Sequence, residues 1–255
     1  MPTKQTSRVG LLYFVTPAFQ RYELTDVCLR QRRELCDWIA DSLKFEARCV
    51  VIADDDNVGI AHDHGHEVAI AGNESLGLRF SLGYLHALEH GATHVLPIGS
   101  DSWMAPGIVA ELAAASGRPG EIVGTRRLAS LRPDGLERYD MTIFYPHGPG
   151  VATMYPRESM SGKRWPCPID LKRGCDGATW RKCGGGYRLV TVEHDPLEYT
   201  DFKSPDVQTT DYGRLIARWS EGARVDRGSL AIGRLEDAYP GHLVARLREI
   251  YGSRA

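Results

Sequence analysis

The sequence predicts an α/β protein built on a mostly parallel, Rossmann-like sheet with helices on both faces, and three observations predict it. Apolar strand-like runs alternate with helical patterns through the first half of the chain. That order buries a parallel sheet under its crossover helices. The runs are continuously apolar rather than alternating, as strands covered on both faces are. Polar residues gather where the runs end, and ligands of such sheets sit beyond the carboxyl ends of the strands.

VGLLYFVTP, from Val9 to Pro17, reads as a buried strand closed by Pro. From Tyr22 to Leu43 the residues Leu24, Val27, Cys28, Leu35, Trp38, Ile39 and Leu43 recur at helical spacing. RCVVIADDD is a second strand ending in Asp54-Asp55-Asp56, and EVAIAG a short third. Ser75 to Glu89 reads as a helix whose last turn Gly91 closes. THVLPIGSD is the fourth strand. PGIVAELAAAS is the next helix, with Pro106 at its start and Gly117 past its end. EIVGT is a fifth strand. After about Arg126 the pattern changes. RYDMTIFYP and GVATMYP read as strands, MSGKRWPCPIDLKRGCDG as an irregular stretch, ATWRKCGG as a short helix and YRLVTVEH as the final strand. The tail carries two helical patterns, DVQTTDYGRLIARWS and RLEDAYPGHLVARLREIYG, the second interrupted by Pro240.

A chain of 255 residues suffices for one α/β domain with a substantial core. The formal net charge of −2 does not point to nucleic acid or a membrane surface, although a near-neutral total can hide a local basic patch. No apolar run approaches the roughly 20 residues of a membrane-spanning helix. The polar start MPTKQTSRVG lacks the apolar core of a signal peptide. A soluble, cytoplasmic protein without integral membrane association is therefore expected.

The six cysteines are expected to be free thiols. Cys167, Cys175 and Cys183 with His194 leave a zinc set as a lesser alternative, since tight Cys-x-x-Cys knuckles are missing. Neither G-x-G-x-x-G after the first strand nor a G-K-[ST] loop is present, which argues against dinucleotide oxidoreductases and P-loop enzymes. HALEH, with His86 and His90 one helical turn apart, matches the H-x-x-E-H pattern. Flanking strands favour a sheet-packed helix there, so a zinc peptidase stays a remote alternative. HDHGH reads as a surface loop.

Three of the strands end in polar chemistry: Thr16, Asp54/Asp55 and Asp101. A buried carboxylate such as Asp101 needs a cation, a hydrogen-bond cradle or exposure. No Lys or Arg adjoins it in sequence. Asp101 and the later strand-end His194 together suit Mn²⁺ or Mg²⁺ held against a diphosphate.

The order of these motifs resembles the nucleotide-sugar glycosyltransferases of the GT-A fold, in particular the family 2-like group. FVTPAFQ matches the family's first strand and its Thr-Pro or Pro-Thr turn, and VVIADDDN its paired Asp residues. AGNESLGLRFSLGYLHAL matches the segment that opens with Asn, here Asn73, and THVLPIGSDSWMAPG the metal-binding Asp motif, here Ser100 and Asp101. GPGVATMYP and GCDGATWRKCGGGYRLVTVEH follow in the family's order, so the resemblance spans about residues 9–200.

The resemblance implies a single domain over 1–255. Residues 9–125 or so would bind the nucleotide-sugar, about 126–204 would handle the acceptor, and 205–255 would add C-terminal helices. It also implies a metal-dependent transfer from a UDP-sugar, inverting if one base faces the leaving group. Thr16 and Pro17 would pack beside the nucleoside, Asp54 or Asp55 would accept from the nucleobase, and Asn73 and Ser100 would border the donor. Lys203 would reach the diphosphate, Asp101 and His194 would hold the metal, and Asp176 would be the general base. The other reading of Asp176 is a helix N-cap. Two positions depart from the family pattern: Gly99 stands where the first metal carboxylate belongs, and Cys175-Asp176 where a Glu-Asp pair is usual. A glycan, or a hydroxyl on a modified nucleic-acid base, would be the acceptor. Lys163, Arg164, Lys172, Arg173, Arg181 and Lys182 cluster in sequence as a phosphate-binding face requires, and Trp165 offers a ring on which a sugar can stack. The alternatives are a nucleotidyltransferase, whose glycine-rich basic loop after the first strand is missing, and a binding protein that has lost catalysis.

Overall fold

The structure, a computed structural model, describes residues 10–43, 45–72, 75–133, 135–140, 151–204 and 232–252. The first half of the chain alternates as β1 (Gly10–Ala18), α1 (Tyr22–Ser42), β2 (Phe45–Ala53), α2 (Asp55–Asp63), β3 (Glu67–Ile70), α3 (Leu76–Glu89) and β4 (His94–Pro97). Next come β5 (Ser102–Met104), α4 (Pro106–Ala115), β6 (Glu121–Thr125), β7 (Arg127–Arg132), β8 (Gly135–Asp140) and β9 (Ala152–Pro156). The described chain closes with α5 (Arg157–Met160), α6 (Cys175–Cys183), β10 (Arg188–Thr191), β11 (Tyr199–Phe202) and α7 (Gly241–Gly252).

Seven strands form one sheet in the order β10-β6-β9-β4-β1-β2-β3. Among the described residues only β9 runs against its neighbours in this sheet. The continuous apolar runs are explained by burial on both faces. Leu12 and Phe14 of β1 join Val51 of β2 in a core with Leu35 and Ile39 of α1. Tyr13 and Val15 join Val50 and Ile52 in a second core with Phe80 and Tyr84 of α3. Strand periodicity thus sends alternate residues of one run to opposite helix layers.

A second sheet, order β5-β11-β7-β8, was not foreseen. β5 and β11 have three and four residues, too short to show a period. Trp103, Leu131 and Phe202 bury this sheet against Leu24 and Cys28 of α1 and Leu243 and Leu247 of α7. Two polar residues of α1 hold β5. Gln31 Nε2 donates to the Met104 carbonyl at 2.8 Å, and Arg32 Nη2 donates to the Ser102 carbonyl at 3.0 Å. Arg32 is fully buried over the Phe14 ring, and burial lowers its pKa.

Ser75, read as the start of the helix, is the N-cap of α3, accepting from Leu78 N at 3.1 Å, and Pro106 opens α4. YRLVTVEH is not the last strand, since β11 follows it. α2 was also unforeseen: the Asp run after β2 starts a helix rather than a turn. The irregular stretch before α6 is fastened to α3. Ser81 Oγ donates to the Cys167 carbonyl at 2.6 Å and accepts from Cys167 N at 3.0 Å, while Gly77 N donates to the Leu171 carbonyl at 2.8 Å. A Cβ at residue 77 would collide with the Pro168 carbonyl, so this contact requires glycine. The first tail pattern, DVQTTDYGRLIARWS, lies outside the described residues. The second is broken near Pro240, with α7 beginning at Gly241. No helix among the described residues is long and apolar enough to cross a membrane.

Candidate active site

Two cavities open beyond the carboxyl ends of the central strands. One, of about 330 Å³, is bordered by Pro97 and Ile98 at the end of β4, by Asp101, by Lys172 to Asp176 leading into α6, and by Asp201 and Lys203. The other, of about 520 Å³, is lined by Pro17, Phe19, Ser75 and Arg79. Arg21, Leu76 and Lys172 line both and mark their junction.

The turn between β1 and α1 places Arg21. Gln20 and Arg21 both have left-handed backbones, with φ of 54° and 55°. For residues with side chains such conformations cost roughly 1–3 kcal/mol each and collect at functional sites. The turn aims the Arg21 guanidinium at Asp101, and the two form an ion pair. The cation that no sequence neighbour supplies to Asp101 comes instead from 80 residues away, where a divalent ion was expected.

The next carboxylate, Asp201 on β11, is buried; it accepts from Ser102 Oγ at 2.6 Å and from Lys203 Nζ at 3.2 Å. Asp176 lies in the first turn of α6 and is partly buried. It is not the helix N-cap, because Gly174 holds that position with a left-handed backbone. The helix N-terminus should favour its ionised form. Desolvation, reinforced by the charge of Asp201, outweighs this and pushes its carboxyl up to about 7. A carboxyl titrating there accepts a proton at neutral pH more readily than an ordinary Asp.

Asp101, Asp176 and Lys203 thus share the first cavity, and Pro17 lines the second. Other candidate residues lie elsewhere. Thr16 is fully buried on the α1 side of β1, where Cys49 Sγ donates to its hydroxyl at 3.8 Å. Strand alternation turns it away from Pro17. Asp54 caps α2, accepting from Asn57 N at 3.1 Å and Asn57 Nδ2 at 2.6 Å through Oδ1. Asp55 is exposed in the first turn of α2. Neither borders the cavities, and Ser100 is buried beside them without lining either. Asn73 lies outside the described residues.

His194 does not join Asp101. Its Nδ1 donates to the Asp195 carbonyl at 2.6 Å, which leaves Nε2 to accept from the Thr125 hydroxyl. Burial lowers its pKa and keeps the ring neutral in that role. Position 99 does not supply a second ligand either. A Cβ on Gly99 would sit 2.7 Å from both Asp101 Oδ1 and Ser102 Oγ. Among the described residues no three His, Cys, Asp or Glu side chains converge as a metal site. The residues present therefore do not fit the Mn²⁺ or Mg²⁺ that the resemblance implies.

The lesser metal alternatives meet the same obstacle. His86 Nε2 bonds Glu67 Oε2 at 2.7 Å and stacks on His90. His64 bonds Asp26 at 2.8 Å, and His66 is buried against the Leu29 carbonyl. All six cysteines are free and buried.

Arg21, Asp201 and Arg79 escaped the sequence reading. Asp201 lies on β11, a strand too short to show a period, so no local signal marked it. Arg79 is buried over the Phe19 ring and donates to the Ala18 carbonyl at 2.9 Å and the Gly72 carbonyl at 2.7 Å, joining the ends of β1 and β3. Nothing in the local sequence marks it.

These features define an α/β protein whose mostly parallel sheet opens a charged cleft at its strand ends. No family model matches the chain, and no curated protein matches it in sequence. Solved structures are similar at low identity. A 1–349 form of S. aureus TarS is 15% identical over 96% of this chain and 72% of its own, with a TM-score of 0.49. Against the longer TarS structure, identity is 14%, coverage of this chain 77% and the TM-score 0.48, and the chain spans only 37% of that length. Glucosyl-3-phosphoglycerate synthase from Mycobacterium tuberculosis, solved with phosphoglyceric acid, is 12% identical over 81% of this chain and 75% of its own, with a TM-score of 0.48. The 4-diphosphocytidyl-2C-methyl-D-erythritol synthase from Anaerococcus prevotii is 11% identical over 82% and 95%, with a TM-score of 0.46.

Proposed function

We propose that the protein is a glycosyltransferase that moves a sugar from a nucleotide-diphosphate sugar to an acceptor hydroxyl with inversion. The observation that carries this reading is Asp176, a cleft carboxyl whose pKa burial and Asp201 raise to about 7. It shares a cavity with Arg21, Lys172, Arg173 and Lys203. A base and a set of cations around one cavity are what displacement of a diphosphate requires. The motif order supports the reading independently.

In the step itself, Asp176 takes the proton of the acceptor hydroxyl. The oxygen bonds to the anomeric carbon, and the carbon–oxygen bond to the diphosphate breaks, its electron pair leaving with the diphosphate. A single base opposite the leaving group gives inversion. The second cavity suits the nucleoside, because Phe19 and Pro17 offer apolar surface and Arg79 braces the wall. Lys163, Arg164, Lys172, Arg173, Arg181 and Lys182 are exposed on the stretch before α6 and on α6. They favour an acceptor that carries phosphate, such as a phosphorylated glycan or a nucleic acid with a hydroxyl-bearing base.

The test is a screen of nucleotide sugars, UDP-sugars first, for hydrolysis and for transfer to acceptors of both kinds. Turnover that disappears in Asp176→Asn supports the proposal. An Asp176→Asn protein as active as the parent would remove the base from it.

A further inference from the structure

We infer that this site binds the diphosphate without a divalent ion, through the Arg21 guanidinium held by Asp101, together with Lys172. The inference rests on the transferase reading above and assigns its leaving-group chemistry. Among the described residues, Arg21 and Lys172 are the charged ones that line both cavities. With the nucleoside in one cavity and Asp176 in the other, the diphosphate must cross the junction that these two side chains border.

The residues that would hold a metal are occupied. Asp101 is ion-paired with Arg21, Gly99 supplies no second carboxylate, and His194 spends both ring nitrogens on Asp195 and Thr125. Asp201 is bonded to Ser102 and Lys203. A divalent ion takes several oxygen ligands. Seating one on Asp101 would displace Arg21, whose buried Nε already lacks a partner. A guanidinium offers five N–H donors in a planar fork that matches phosphate oxygens. The bond to Asp101 uses Nη1 and anchors the side chain, which leaves Nη2 for phosphate. The paired left-handed residues Gln20 and Arg21 indicate that the fold accepts local strain to hold this side chain there. In this arrangement Asp101 is a positioning residue and Arg21 the binding one.

Calorimetry with UDP, GDP, CDP and ADP, in EDTA and then in Mn²⁺ or Mg²⁺, tests this on the full chain. The preferred diphosphate should bind within about threefold in both media. Arg21→Ala should weaken it by about tenfold or more, the scale of one charge-assisted contact, and Arg21→Lys should recover part of that loss. Asp101→Ala should weaken binding comparably, and the double variant little further, because the two residues act as one unit. Lys172→Ala, on an exposed stretch, keeps the test open if the Arg21 variants do not fold, and several-fold weaker binding is expected. Binding that appears only with a divalent ion overturns the inference and leaves the transferase reading standing, as does binding indifferent to Arg21 and Lys172. Failure of all four diphosphates to bind in either medium overturns both.

Discussion

Two corners of the same sheet begin alike and end differently. β2 and β4 are both apolar runs that finish in carboxylates, Asp54 after one and Asp101 after the other. At the first corner the charge is satisfied within three residues, as Asp54 caps α2 through Asn57. At the second it is satisfied only across the molecule, by Arg21, with Asp201, Lys203 and Asp176 drawn into the same cavity from the second sheet and α6. A carboxylate that finds a backbone N–H next door becomes part of the local structure. One that must wait for the tertiary fold is left beside a cavity with other charges, where chemistry is available. Substitutions at the first corner should therefore change stability alone, and those at the second should change turnover, with stability shifting wherever a buried charge is removed.

The largest expected effect is at Asp176. Asp176→Asn should lower turnover by roughly a hundred- to ten-thousand-fold while diphosphate affinity stays nearly unchanged, read by steady-state kinetics beside calorimetry. The active form of this base is deprotonated, so kcat/KM should rise with pH through about 7. The same substitution should stabilise the fold. The folded state holds this carboxyl above its usual 3.8, so the unfolded chain loses the proton first. The stability that depends on this group is full below about pH 4 and is lost progressively until pH passes about 7. Asp176→Asn removes that loss, by at most roughly 4 kcal/mol. Its gain in Tm should be greater at pH 8 than at pH 5. Turnover and stability moving together in the same direction would break the comparison.

Asp201→Asn is a finer probe of the same corner. It removes the neighbouring charge that raises Asp176, so the rising limb of kcat/KM should move to lower pH. An unmoved limb would show that burial alone sets the value.

At the capping corner the effects shrink. Asp54→Ala should cost about 1 kcal/mol and Asp54→Asn only a few tenths, because Asn caps as well as Asp. Thermal melts should show the Ala variant about 2–4 °C lower. Diphosphate selection unchanged in both would keep this corner structural. Asp55→Ala should be smallest of all, within about 0.5 kcal/mol, since the side chain is exposed. A changed ranking of UDP, GDP, CDP and ADP in that variant would instead give Asp55 the role of reading the base.

Much of the architecture was legible because it follows from local rules. Continuous apolar runs announced β1, β2 and β4, helical spacing announced α1 and α3, and Ser75 and Pro106 marked helix starts. The sheet's location of the cleft followed from strand and helix order; Asp101 was placed there by its strand end and Asp176 by the resemblance in motif order, and both line the first cavity. The sequence could not announce β5 and β11, which are too short to carry a period, nor β7, whose residues lie within an unpatterned stretch. What only the tertiary structure decided was the pairing of charges. Arg21 meets Asp101 across 80 residues because two left-handed residues turn the chain, and Thr125 takes the ring of His194 that the sequence had assigned to a metal. Periodicity follows from the geometry of one element and is written in neighbouring residues. Which cation reaches which carboxylate depends on how separate elements pack, and no local pattern records that.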